Sequence, residues 1–172
     1  MKKVRYNKNM EFDWKNIGIN EINILNSWLT IKDKRFLCMT EKSWEQSARD
    51  IGDCLKNMDN AQFKNIMGYV NGKPAVALMF GIESIEVLNL YNIVVNPEYR
   101  NMGIAKAAVS QLLNNDKSLN LVKKYKKVRT SVLPENNVSL NFFEKLNYND
   151  MGFDGEYVVF EKALTQTRQF IK

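Results

Sequence analysis

Residues 87–113 constrain the fold more than any other part of the chain. An apolar run from Val87 to Val95 is long enough for a central strand, and Asn96-Pro97 ends it, because proline donates no ladder hydrogen bond and sets a turn. The chain continues Glu98-Tyr99-Arg100-Asn101-Met102-Gly103-Ile104-Ala105, and from Gly103 the pattern becomes helical. Ala105, Ala108, Val109, Leu112 and Leu113 fall at i, i+3, i+4, i+7 and i+8, one apolar stripe. A glycine at such a junction lets a ligand approach the backbone closely. The helix terminus offers N–H groups without intrahelical partners and roughly half a positive charge, a setting for phosphate. Arg100 and Lys106 add cations beside it. An ordinary strand-to-helix connection would use the same spacing, so both readings stand at this level. Two familiar nucleotide loops are disfavoured: there is no GxxxxGK[ST], and no GxGxxG followed about twenty residues later by an acid.

The rest of the chain supplies a setting of mixed strands and helices. Val4 and Tyr6 alternate with charge and suggest a short first strand. Ile24, Trp28 and Ile31 have helical spacing within 20–31, although a strand remains open there. A second helix is expected over 40–58, capped by Thr40 or Ser43, with Trp44, Ala48, Ile51, Leu55 and Met58 on one face. Asn71-Gly72 between the runs 66–70 and 74–82 is a hairpin signal. After the helix from Gly103, a strand at 128–133 stops at Pro134. A short helix over about 137–146 and two strand-like runs near Tyr148 and over 157–160 complete the pattern. With no repeat, low-complexity block or Gly/Ser linker, 172 residues read as one α/β domain.

Composition narrows the chemistry. The chain has no histidine, which excludes Ser-His-Asp and Cys-His nucleophiles, His-ligated metals and an imidazole base. Cys38 and Cys54 form no CxxC pair, and two thiolates without histidine would need two further carboxylates, so no metal site is expected; buried thiol packing is favoured over a disulfide. No apolar leader follows the charged start, and no apolar stretch approaches the ~20 residues of a membrane span. A cytoplasmic protein is expected. Net charge is +6, and Lys123-Lys124-Tyr125-Lys126-Lys127 is the densest basic run. A solvated loop is the favoured reading there over nucleic-acid contact.

Arg100-x-x-Gly103-x-Ala105, preceded by Val95-x-Pro97-Glu98-Tyr99, resembles the acyl-CoA-binding motif of the GNAT acetyltransferase superfamily. The segment Asn136–Tyr148 (NNVSLNFFEKLNY) resembles a second motif of that family, in the expected order. The resemblance implies a GNAT fold: a mixed sheet of six to seven strands, about four helices, and a splayed slot for acyl-CoA, with the binding core over about 66–162. It implies that backbone groups of Ile93, Val94 and Val95 pair with the pantetheine arm. It further implies that the N–H groups of Arg100, Asn101, Met102, Gly103, Ile104, Ala105 and Lys106 hold the pyrophosphate, and that Asn136 bonds the CoA arm.

Two departures affect catalysis. Phe143 stands where the family has the tyrosine that protonates the departing thiolate. The family's strand glutamate falls in Val87–Asn89, leaving Glu86 adjacent but unmatched. Tyr91, on the face of Asn89 and Ile93, is the other candidate for handling a proton, with Tyr148 more distant. Acyl transfer from a thioester to an amine still needs only positioning, an oxyanion donor and removal of one proton. The expected activity is acetyl transfer from acetyl-CoA to a primary amine of a small molecule, peptide or protein, in a direct ternary complex. The alternative is a GNAT-fold module that binds acyl-CoA or a protein partner with little turnover. Trp14, Trp28 and Trp44, and the acids Glu41, Glu45, Asp50 and Asp53, read as packing and solvated positions before acceptor-site residues. The fold also allows a homodimer.

Overall fold

The structure, a computed structural model, describes residues 10–30, 63–113 and 125–164. The expected strand at Val4–Tyr6, the helix over 40–58, both cysteines and Trp44 lie outside these residues. Seven strands form one sheet: β1 (Asp13–Asn16), β2 (Phe63–Val70), β3 (Lys73–Ile82), β4 (Val87–Val95), β5 (Lys127–Val132), β6 (Asn149–Asp154) and β7 (Tyr157–Ala163), in the order β1-β2-β3-β4-β5-β7-β6. Three α-helices are described: α1 (Ile19–Trp28), α2 (Ile104–Leu113) and α3 (Asn137–Lys145). The β4–β5 pairing is parallel, and β1–β2, β2–β3, β5–β7 and β6–β7 are antiparallel, so the sheet is mixed. The chain divides into two compact units, 1–81 with 90–108, and 82–89 with 109–172.

In the first unit, Asn71 (φ 51°) and Gly72 (φ 74°) both take left-handed backbone, as a two-residue hairpin turn of the primed type requires. They join β2 to β3 with Val70 opposite Lys73. The sequence did not reveal β1, which is short and mostly polar, yet Trp14 pairs opposite Gly68. Its ring covers that glycine so closely that a Cβ would lie 2.8 Å from it, with Phe12 at 3.0 Å. Helix α1 begins at Gly18, whose N–H donates to Glu21 Oε2 (3.0 Å). Glu21 also accepts from the Tyr69 hydroxyl (3.2 Å), tying the helix start to β2. Its inward face is Ile22, Leu25 and Trp28, packed with Met67, Ala77 and Val94. The face expected from Ile24, Trp28 and Ile31 is therefore rotated: Ile24 is only partly buried and Ile31 lies outside the described residues.

In the second unit, Val87–Asn89 pair with Lys127–Arg129 in parallel. Helix α3 brings Phe143 onto Phe160 (centroids 6.0 Å apart) and Tyr148 (5.1 Å). Strands β6 and β7 form a hairpin whose register shifts between Asp150 and Phe153, where Gly152 has φ 85°. Arg129 donates to Glu161 through Nε (3.1 Å) and Nη2 (2.8 Å) and also pairs with Glu83. Lys127 reaches Glu161 at 2.8 Å.

Candidate functional site: the loop between β4 and α2

Alternation along β4 sets the site. Leu88, Leu90 and Val94 are buried, whereas Tyr91 is 45% exposed and Ile93 and Val95 are half-buried on the other parity. Asn96 closes the strand: its N–H donates to Ala75 O (2.9 Å), its Nδ2 to Pro74 O (2.9 Å), and its Oδ1 accepts from Glu98 N–H (3.0 Å). One 3-10 turn, Pro97–Tyr99, follows. The sequence marked Pro97 as the stop but not Asn96 as the clip that fixes where the loop begins.

The loop then takes left-handed backbone twice, at Asn101 (φ 61°) and Gly103 (φ 80°). Glycine does this freely and asparagine is the side chain that best tolerates it. Helix α2 starts at Ile104, and its first turn closes with Ala107 N–H donating to Gly103 O (3.0 Å). The N–H groups of Ile104, Ala105 and Lys106 are thereby left without intrahelical acceptors. No acidic residue stands in that first turn to compete for its positive end. Ile104 is buried and anchors the helix, while Asn101 and Lys106 are exposed. The arrangement can bind an anion through main-chain donors.

The Arg100 side chain has main-chain partners that the sequence did not suggest. Among the described residues its guanidinium donates to two main-chain carbonyls, Val95 O from Nε (3.2 Å) and Trp28 O from Nη2 (3.0 Å). Its own N–H is directed to Pro97 O at 3.4 Å. Lys106 is thus the cation of the pair that faces solvent.

The second unit holds the other sequence-derived candidates. Asn136 is half-buried and caps α3, its Oδ1 accepting from Ser139 N–H (3.2 Å). Phe143 is a packed core residue, 4% exposed. Tyr148 is buried beside it with no hydrogen bond to its hydroxyl, and burial pushes this phenol far above the ordinary range. Glu86 lies in the turn before β4, at the opposite end of that strand from the anion loop, and pairs with Lys126. Of the basic run, Tyr125 is buried, Lys126 is held by Glu86 and Lys127 by Glu161. Among the described residues no helix is long and apolar enough to cross a membrane, and no cluster of three or more acidic, Cys or His side chains could hold a metal.

Comparison with known proteins places the fold and the loop in one family. The sequence profile of the acetyltransferase (GNAT) family matches residues 26–148, which include β4, the anion loop, α2 and α3. The chain belongs to that family. Among solved structures, PaiA N-acetyltransferase from Thermoplasma acidophilum in complex with coenzyme A has a TM-score of 0.66 at 17% identity, over 90% of this chain and 99% of that one. An acetyltransferase from Thermus thermophilus gives 0.69 at 12% identity, over 89% and 97%. The ribosomal-protein-S18-alanine N-acetyltransferase of Escherichia coli gives 0.62 at 14%, over 94% and 99%. At these identities the likeness is one of fold. No curated protein sequence matches the chain.

Proposed function

We propose that this protein is an acetyl-CoA-dependent N-acetyltransferase that moves acetyl to a primary amine by direct attack in a ternary complex. The observation that carries this is the pair of left-handed residues, Asn101 and Gly103, at an acid-free helix terminus that follows the central strand of a GNAT chain. The N–H groups from Met102 to Lys106 would hold the pyrophosphate, Lys106 would add charge, and main-chain groups of Ile93–Val95 would pair with the pantetheine arm. Asn136 is assigned a bond to the same arm through the part of its amide not used in capping. Acetyl-CoA supplies an activated acyl group and a good leaving thiolate. The amine nitrogen attacks the thioester carbonyl, the C–S bond breaks, and the amine's surplus proton leaves to water or a side chain.

For that proton we favour Tyr91 over Glu86. Tyr91 is exposed and shares the face of Ile93 and Val95, whereas Glu86 is committed to Lys126. The transfer uses no metal, and a cytoplasmic location is part of the proposal. The second reading, an acyl-CoA-binding module without turnover, is supported by Phe143, a buried ring where the family keeps a proton-donating tyrosine. Acetyl-CoA should raise the melting temperature under both readings. Release of free thiol from acetyl-CoA with a panel of polyamines, amino sugars and peptide N-termini decides between them. Thermal stabilisation without thiol release would favour the module, and no stabilisation at all would overturn the acyl-CoA assignment.

A further inference from the structure

The last turn of α1 lacks a basic residue of its own. Its terminal carbonyls carry the negative end of the helix dipole and need donors. Near this end, Ile24 O accepts from the Ser27 hydroxyl (2.6 Å) and Asn26 O from Leu29 N–H (3.3 Å). The last carbonyl of the helix, Trp28 O, is met by Arg100, 72 residues further along the chain. The same guanidinium holds Val95 O, the last carbonyl of β4. Only a planar fork with donors on several nitrogens can serve two carbonyls at once in fixed geometry; a lysine ammonium is a point charge on a flexible stem. Arg100 itself immediately precedes the two left-handed residues of the anion loop.

We propose that Arg100 is a positioning residue for acyl-CoA: its side chain joins the C-terminal carbonyl of α1 to the end of β4 and so holds the Asn101–Gly103 loop in its anion-binding shape, without contacting phosphate. The inference rests on the acyl-CoA reading of that loop. The motif's cation then acts through backbone geometry, and its charge serves the α1 terminus.

The test compares the wild-type protein with Arg100→Lys and Arg100→Gln. Coenzyme A affinity is measured by calorimetry at about 0.05 and about 0.5 M NaCl, between which the screening length falls severalfold. Amide hydrogen exchange of residues 19–28 and 91–99 is followed in the ligand-free proteins. Both variants should weaken coenzyme A by about 10- to 100-fold, the scale of a displaced binding geometry. The factor should be the same at both salt concentrations, and both segments should exchange faster together. Full affinity in Arg100→Lys would overturn the proposal, as would a loss in Arg100→Gln that vanishes at high salt, or unchanged exchange in 19–28. One measurement needs no variant: the Arg100 Nε–H resonance should stay protected when inorganic pyrophosphate is added, and loss of protection would show the guanidinium turning to the anion. If the wild-type protein binds no coenzyme A, the acyl-CoA reading fails, and the exchange data alone then decide whether the α1–β4 link exists.

Discussion

Gly103→Ala separates what the loop costs the fold from what it gives a ligand. Gly103 has φ 80°, and an L-residue held in left-handed backbone loses about 1–2 kcal/mol relative to glycine. For a chain of this size each kcal/mol shifts the melting temperature by about 2–4 °C, so the variant should melt about 2–8 °C lower. Gly72 (φ 74°) and Gly155 (φ 58°) set the baseline, because a Cβ at either meets nothing within 4 Å. Their alanine variants should show the same backbone cost and no other. At Gly103 the added methyl also stands where phosphate oxygens would approach the main chain. Loss of one charge-assisted hydrogen bond, about 1.5–3 kcal/mol, corresponds to a weakening of about 10- to 150-fold. Coenzyme A titration by calorimetry beside a thermal melt reads both quantities. If all three variants melt alike but Gly103→Ala binds coenzyme A as tightly as wild type, the assignment of this loop to phosphate is refuted. Gly103→Glu, adding bulk and negative charge, should abolish binding.

Three further outcomes are expected. Tyr91→Phe should lower kcat with little change in coenzyme A affinity, and full activity in the thiol-release assay would remove Tyr91 from proton transfer. Tyr148→Phe should leave stability unchanged or raise it by about 1 kcal/mol, since it deletes a buried hydroxyl that has no hydrogen bond; a clear drop in melting temperature would contradict this. Glu161→Gln should cost about 1–2 kcal/mol at neutral pH after allowance for solvent around Lys127. The bond from Lys127 first, and that from Arg129, hold the Glu161 carboxyl below its ordinary value of 4.5. A depressed carboxylate stabilises the fold above its unfolded pKa and loses that effect as pH falls through the folded one. The gap between wild type and variant in chemical denaturation should therefore be full at pH 7 and close in acid.

The shape of the loop between β4 and α2 was legible because its devices are local: Pro97 ends a strand, Gly103 turns left-handed, and a 3.6-residue stripe begins at once. The bounds of β4 and the Asn71-Gly72 hairpin could be read for the same reason. Strand β1 was not legible, since four mostly polar residues acquire their place only from pairing with β2 and from Trp14 covering Gly68. The geometry of the Arg100 side chain was not legible, because charge beside a helix terminus suggests only phosphate. Among the described residues two of its partners are main-chain carbonyls, one of them distant in sequence, and no local pattern encodes them. The motif comparison flagged Phe143 as a missing acid, but only the packed rings of Phe160 and Tyr148 show it to be a core position.

Strand β6 lies at one edge of the sheet and exposes Met151 (57%) and Phe153 (72%). An outer strand with uncovered apolar side chains invites a second chain to add on and polymerise. The shift between Asp150 and Phe153, with left-handed Gly152 inside it, interrupts the ladder that an incoming strand would need. Among the described residues this edge therefore pairs exposed apolar side chains with an interrupted ladder, a poorer template for an incoming strand than a regular edge would be.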